Sequence, residues 1–346
     1  MKFLQTLLLA TAMASGPLFT LAQNPEAQAH VNKGVELYDA GNYKGALAEY
    51  EKALAITPDD PGTLYEMAMT YEALQEYNKA IELCEKVLST PNEHHKAAYV
   101  VLGSSHDDNG EPRKAMAVYK RGLAEFPGNY LLCYNLALTE VREEMDEEAE
   151  KHLMEGLKDN PNHPSSHFLL IALNEKKDLR VKTMLPMYYF ALLEPQSQRG
   201  IAVLTRLQEL WSQGVTKTGK KNVEIAVDAK VMEDEEWSGA EMTVSMLAAI
   251  STSKEMSKAS PLERFTSSTE TLFGTLGEMR ENKPGFYWSF YVDFFYNLQQ
   301  EGHTKTFVYY IFAMAGSEEA DKWFKKHEAE SQNFADWLKS RWDSEE

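Results

Sequence analysis

At 346 residues the chain has room for about two domains of ordinary size. A hydrophobic content of 43% is enough to bury a core and excludes wholesale disorder. With 53 acidic against 35 basic residues the formal net charge is −18, so nucleic acid and anionic lipid, whose phosphates would be repelled, are excluded as expected partners.

Residues 1–22 read as a secretory signal peptide. Lys2 supplies the positive end, Leu4 to Ala14 a short apolar stretch, and Thr20-Leu21-Ala22 a small-residue cleavage site before Gln23. The stretch is too short to span a bilayer. No cysteine follows it directly; the first is Cys84, which excludes a lipid-anchored route. Asp293 interrupts the best later apolar stretch, so no integral membrane segment is expected after signal removal. The signal looks like those of Gram-negative envelope proteins. The expectation is a soluble, exported protein, periplasmic or secreted.

From Ala27 a period of 34–35 residues begins. Ala46, Ala80, Ala115 and Ala149 share one slot. Twelve residues earlier stand Gly34, Ala68, Gly103 and Ala137; seven later, Ala53, Val87, Gly122 and Gly156; five further on, Pro58, Asn92, Pro127, Pro161 and Pro195. Two antiparallel helices approach closely only where side chains are small, and proline ends the second helix of each unit. Gly41 and Gly110 fall at the turn within their units, where a left-handed helix end favours glycine. Units start near Ala27, Pro61, Lys96, Tyr130 and Pro164. The fifth departs from the pattern: Ile171, Thr183 and Phe190 replace small residues, and Pro186 predicts a kink in its second helix. The acidic run Glu143 to Glu148 reads as a solvated loop.

This pattern resembles the tetratricopeptide repeat, a helix-turn-helix unit of 34 residues. The resemblance implies an all-α fold: an α-solenoid of about five helical hairpins over residues 27–197, then a helical, aromatic-rich C-terminal domain over 198–346. It also implies that slots two, five, nine and twelve of each first helix line a concave groove. Those slots hold Tyr38, Tyr65, Met69, Tyr134, Leu138 and Phe168 as the expected partner-binding residues, with Glu72, Asp107 and Glu175 on one rim and no Lys or Arg. The Lys/Asn clamp by which some relatives hold a terminal carboxylate is missing. An apolar groove with an acidic rim suits an amphipathic helix with a basic flank. The chain's own C-terminal half, acting in cis, is an alternative occupant. Cys84 and Cys133 lie on helices separated by a whole hairpin, so two buried thiols are expected rather than a disulfide.

The second half reads as helices over Gly200–Gln213, Ser238–Ser257, Pro261–Arg280, Phe286–Gln300, Lys305–Met314 and Glu318–Trp342. Val223, Ile225, Val227 and Ala229 alternate as one strand without an evident partner. The run Phe286 to Tyr296 is apolar nearly all round, which is expected of a buried helix. The functional alternative is an aromatic platform for sugar rings or a partner helix, carried by Trp288 and Tyr291.

Catalytic signals are weak. Gly214-Val-Thr-Lys-Thr-Gly219-Lys220-Lys221 approximates a phosphate-binding loop but lacks the final Ser/Thr and stands between helix and strand in the wrong order. Ser105 to Gly110 imitates the start of a calcium loop, but its twelfth position is Met116. His94-His95 and His163/His167 have no third ligand in sequence. No cofactor, metal or catalytic residue is expected. The reading is a non-enzymatic scaffold or adaptor of the cell envelope that binds a protein or peptide. The alternatives are a glycan- or nutrient-binding accessory protein and an enzyme with its active site in the C-terminal domain.

Overall fold

The computed structural model describes residues 24–218, 223–226, 234, 236–253 and 255–343. The expected signal peptide, and Val227 and Ala229 of the expected strand, lie outside the described residues. The chain forms two compact units, one ending at His163 and the other beginning at Pro164.

The first unit is four helical hairpins: α1 Pro25–Asp39 with α2 Tyr43–Ile56, α3 Pro61–Ala73 with α4 Tyr77–Val87, α5 His95–Asp108 with α6 Pro112–Glu125, and α7 Tyr130–Arg142 with α8 Asp146–Asp159. Local chemistry sets their starts. Asn24, Asp60 and Asn129 accept hydrogen bonds from first-turn amides, and Pro25, Pro61 and Pro112 occupy first-turn positions where a missing N–H is harmless. Asp146, Glu147 and Glu148 are not a loop but the first turn of α8, where carboxylates complement the helix dipole.

The small residues sit inside the hairpins. Ala46, Ala68, Ala80, Ala115, Ala137 and Ala149 are fully buried. Gly34 faces Tyr50 and Gly103 faces Tyr119, in each case the residue sixteen positions on; the same two slots hold Ala68 and Cys84, and Ala137 and Leu153, all fully buried. Both glycines face a tyrosine. A Cβ on Gly34 would lie 2.2 Å from Tyr50 Cε1, and one on Gly103 would lie 2.1 Å from Tyr119 Cε1. The missing side chain is therefore what admits the ring. The intra-hairpin turn is left-handed in every unit: φ is 74° at Gly41 and 78° at Gly110, and the same slot holds Gln75, Glu144 and Asp178 at 60°, 60° and 54°. Cys84 and Cys133 are buried, unbridged thiols.

The second unit opens with α9 Pro164–Lys176 and α10 Arg180–Leu193. The fifth hairpin lacks the small pair because α10 is not a surface helix: every residue from Thr183 to Leu193 is buried. Pro186 stands inside this one helix. It cannot donate to the Lys182 carbonyl one turn back, and Asn174 of α9 fills the gap by donating to that oxygen at 3.1 Å. Glu241 holds the start of α10, accepting from Val181 N at 2.6 Å and from Arg180 Nε at 2.8 Å, with both ionic side chains buried.

After α11 Gln198–Ser212 comes a two-stranded antiparallel hairpin, β1 Val215–Lys217 with β2 Val223–Ile225, in the register Val215↔Ile225. The strand without an evident partner thus pairs with the segment that imitates a phosphate loop. Helices α12 Ser238–Ser251, α13 Pro261–Met279, α14 Asp293–Gln300, α15 Thr304–Met314, α16 Glu318–Phe324 and α17 Glu328–Asp343 complete the described residues. A π-helical turn, Tyr287–Val292, leads into α14. Its i→i+5 bonding widens the turn so that rings four apart stand almost above one another; Phe286 and Phe290 stack with centroids 4.7 Å apart. Three phenol tips in this core are paired: Tyr291 Oη lies 2.7 Å from His167 Nδ1, Asn174 donates to Tyr287 Oη at 2.8 Å, and Trp211 Nε1 donates to Tyr188 Oη at 2.8 Å.

Candidate functional site: the inner face of the repeat unit

In the first unit the first helices of successive hairpins touch one another, α1 with α3, α3 with α5 and α5 with α7. They form the inner layer. Side-chain staples fix their spacing. Ser104 and Ser105 of α5 donate to the Glu72 carboxylate of α3, the latter at 3.3 Å. Thr139 of α7 donates to Asp107 of α5 at 2.6 Å, and Arg142 pairs with the same carboxylate. Burial raises the pKa of Glu72, and the two serine hydroxyls oppose that rise. Glu72 and Asp107 are consequently structural links rather than a rim waiting for cations. Glu175, in the second unit, is paired with Arg206 at 2.8 Å. Each rim carboxylate thus has a partner within the chain, serine hydroxyls for Glu72 and arginines for Asp107 and Glu175.

The apolar residues of this layer stay partly open. Tyr38, Tyr65, Met69, Tyr134 and Leu138 are all half-buried, whereas the facing residues within the hairpins are fully buried. Tyr65 and Met69 rest on the cluster around Leu102 and Tyr119, and Tyr38 on the cluster around Tyr50. Burial pushes the Tyr65 phenol up to about 12, so it is a neutral donor at any physiological pH. Phe168 belongs to the second unit, where it is 37% exposed, packs on Phe190 at 5.4 Å and carries the Arg199 guanidinium 5.3 Å above its ring.

Two residues of this face were not among the expected site residues. His94 stacks on Tyr65 at 5.7 Å, and His163 meets Tyr134 edge-on at 5.0 Å. Both histidines occupy the last slot of their units, filled elsewhere by the helix caps Asp60 and Asn129. The face thus alternates: Val31 with Asp60, Tyr65 with His94, Val100 with Asn129, Tyr134 with His163. The signal legible in sequence was the spacing of 69 residues that separates both the tyrosines and the histidines.

Other candidates resolve against chemistry. Trp288 and Tyr291 are 2% and 0% exposed, so they form core rather than a platform; Trp237 covers Trp288 at 4.4 Å. Ser105, Asp107 and Asp108 lie within α5, not in a loop. The phosphate-loop imitation fails because β1 commits its backbone to a ladder. His95 bonds Glu125 at 2.8 Å, and His167 is enclosed by Tyr189 and Tyr291. Among the described residues no helix is long and apolar enough to cross a membrane.

Residues 37–99 and 108–172 match the sequence profile of the tetratricopeptide repeat. Both matched segments are tetratricopeptide repeats. Three solved structures are similar to this chain. MamA (residues 41 to the end) from Desulfovibrio magneticus RS-1 is 22% identical with a TM-score of 0.43, covering 51% of this chain and 99% of that one. PilF of Pseudomonas aeruginosa is 19% identical with a TM-score of 0.47, covering 71% and 97%. YrrB, described as a tetratricopeptide-repeat protein with an unusual peptide-binding site, is 17% identical with a TM-score of 0.40, covering 53% and 100%.

Proposed function

We propose that this protein is a non-enzymatic adaptor, exported to the cell envelope, whose repeat unit holds a segment of another protein against Tyr38, Tyr65, Met69, Tyr134 and Leu138. One observation carries the reading: in an array whose facing pairs are fully buried, these large side chains stay half-open along a single layer of helices. Aromatic and methionine side chains with an apolar body and an accessible edge are the usual anchors of such contacts. The N-terminal signal supports export. The engaged state of Glu72 and Asp107 favours a segment recognised by apolar anchors rather than by basic charge.

Tyr65→Ala and Tyr134→Ala test this. Each should lower stability by no more than the half-buried part of the ring costs, about 1–2 kcal/mol, and weaken partner capture by about tenfold or more, the effect of truncating an anchor. If each lowers stability by more than this in the isolated protein and partner capture is unaffected, the face is filled by the chain itself and the adaptor reading falls.

A further inference from the structure

A second candidate site lies within the C-terminal unit. Helices α11, α12 and α13 line an open cavity of about 330 Å³, at the lower end of the volumes that take small organic ligands. Trp211 and Phe265, both nearly buried, form its apolar floor, and Ala248 and Val215 contribute to its walls. Trp211 turns its only donor inward to Tyr188, so it presents ring and not N–H.

Two polar side chains one helical turn apart on α13 also line the cavity. Arg264 is half-buried, and its Nη1 donates to the Ala259 carbonyl at 2.5 Å. Among the described residues no carboxylate stands within ion-pair range of it, although the chain has 53 acidic residues to offer. Nη1 also reaches the Met256 carbonyl at 3.5 Å, while Nε and Nη2 carry no hydrogen bond among the described residues. Ser268, only 8% exposed, lines the same cavity. A half-buried cation without a counter-charge is costly unless something completes it.

We propose that this cavity binds a carboxylate carried on a small apolar or aromatic body. The carboxylate accepts from Arg264 and Ser268, and the body lies on Trp211 and Phe265. One guanidinium neutralises one negative charge, which fits a monoanion better than a phosphate ester. Two sources share this chemistry, a free aromatic acid and the C-terminal residue of a peptide.

The test is calorimetric titration of the intact protein with phenylacetate, with its neutral analogue phenylacetamide, and with the peptide acetyl-Gly-Gly-Phe as free acid and as amide. The expected result is that at least one acid binds about tenfold or more tightly than its amide. Tighter binding of the peptide acid assigns the chain terminus; tighter binding of phenylacetate assigns the free acid. Arg264→Gln should bring acid and amide to equal affinity, and Ser268→Ala should weaken the acid several-fold. Because Arg264 also holds the Ala259 carbonyl, Arg264→Lys, which keeps the charge, and Ser268→Ala decide the matter if Arg264→Gln does not fold. The proposal is overturned if acids and amides bind alike in the wild type, if none binds at about 1 mM, or if folded Arg264→Gln and Ser268→Ala variants bind the acid as the wild type does.

Discussion

The pairing of Gly103 with Tyr119 makes a quantitative prediction. A methyl group at Gly103 would lie 2.1 Å from Tyr119 Cε1 and 2.5 Å from Cζ. The ring cannot yield easily, because Tyr119 is 1% exposed in a cluster with Ala68, Cys84, Leu102 and Leu132. Overpacking of this kind costs about 1–3 kcal/mol, and the better helix propensity of alanine returns about 1 kcal/mol. Gly103→Ala should therefore destabilise by up to about 2 kcal/mol. Tyr119→Leu, which leaves a void beside a bare glycine, should cost about 1–3 kcal/mol. The double variant recreates the residue pair of the fourth repeat, where Ala137 and Leu153 fill the same two slots and are fully buried. It should be more stable than the sum of the single effects by about 1 kcal/mol or more. Urea unfolding followed by far-ultraviolet circular dichroism, on all four proteins under one condition, measures the cycle. Additivity within about 0.5 kcal/mol would refute the claim that each small residue is sized to the side chain opposite it.

Other consequences can be checked alongside. Glu241→Ala strands Arg180 and the first-turn amide of Val181 in a buried setting; unfolding titration should show a loss of about 3–5 kcal/mol, and a loss under about 1 kcal/mol would contradict the role given to the pair. Cys84 and Cys133 should resist alkylation in the native protein and both react in denaturant without reductant, since they are buried thiols and burial pushes Cys133 up to about 12; mass spectrometry showing one or no label in denaturant would contradict this. The Glu125 carboxylate raises the pKa of His95. The protonated ring therefore favours the folded state fully below its unfolded pKa near 6.5, and the contribution fades as pH rises through the folded value. Glu125→Gln should destabilise more at pH 5.5 than at pH 9, by less than about 1 kcal/mol because the pair is partly solvated; equal effects at both pH values would contradict the link.

The repeat was legible because close helix approach admits few residues: Ala46, Ala80, Ala115 and Ala149 recur where nothing larger fits. Gly41 and Gly110 marked the turn, but Gln75, Glu144 and Asp178 adopt the same left-handed backbone without glycine's signature. What escaped depends on tertiary partners. Val223–Ile225 finds its ladder in Val215–Lys217, three residues of the stretch that imitates a phosphate-binding loop. The aromatic run from Phe286 is apolar in a way that fits core and platform alike, and only the covering Trp237 and His167 decide for core. Expected helices also broke where packing required: Ser238–Ser251 stops before the 3-10 turn Glu255–Lys258, and Glu318–Phe324 is separate from Glu328–Asp343. On the binding face, slot positions told which residues face inward. They could not tell that Glu72 and Asp107 are consumed by hydroxyls of the next unit, because those partners lie 32 residues away.

The central claim is that the inner helices of the repeat unit hold another protein. Site-specific photo-crosslinking tests it most directly, with a benzophenone amino acid placed in turn at Tyr65, at Tyr134 and at the exposed Lys120 of α6 in the full chain expressed in cells. The account predicts one discrete intermolecular adduct from positions 65 and 134 and none from 120. Adducts alike at all three positions, or links from 65 and 134 only to the chain's own residues beyond 198, would contradict it.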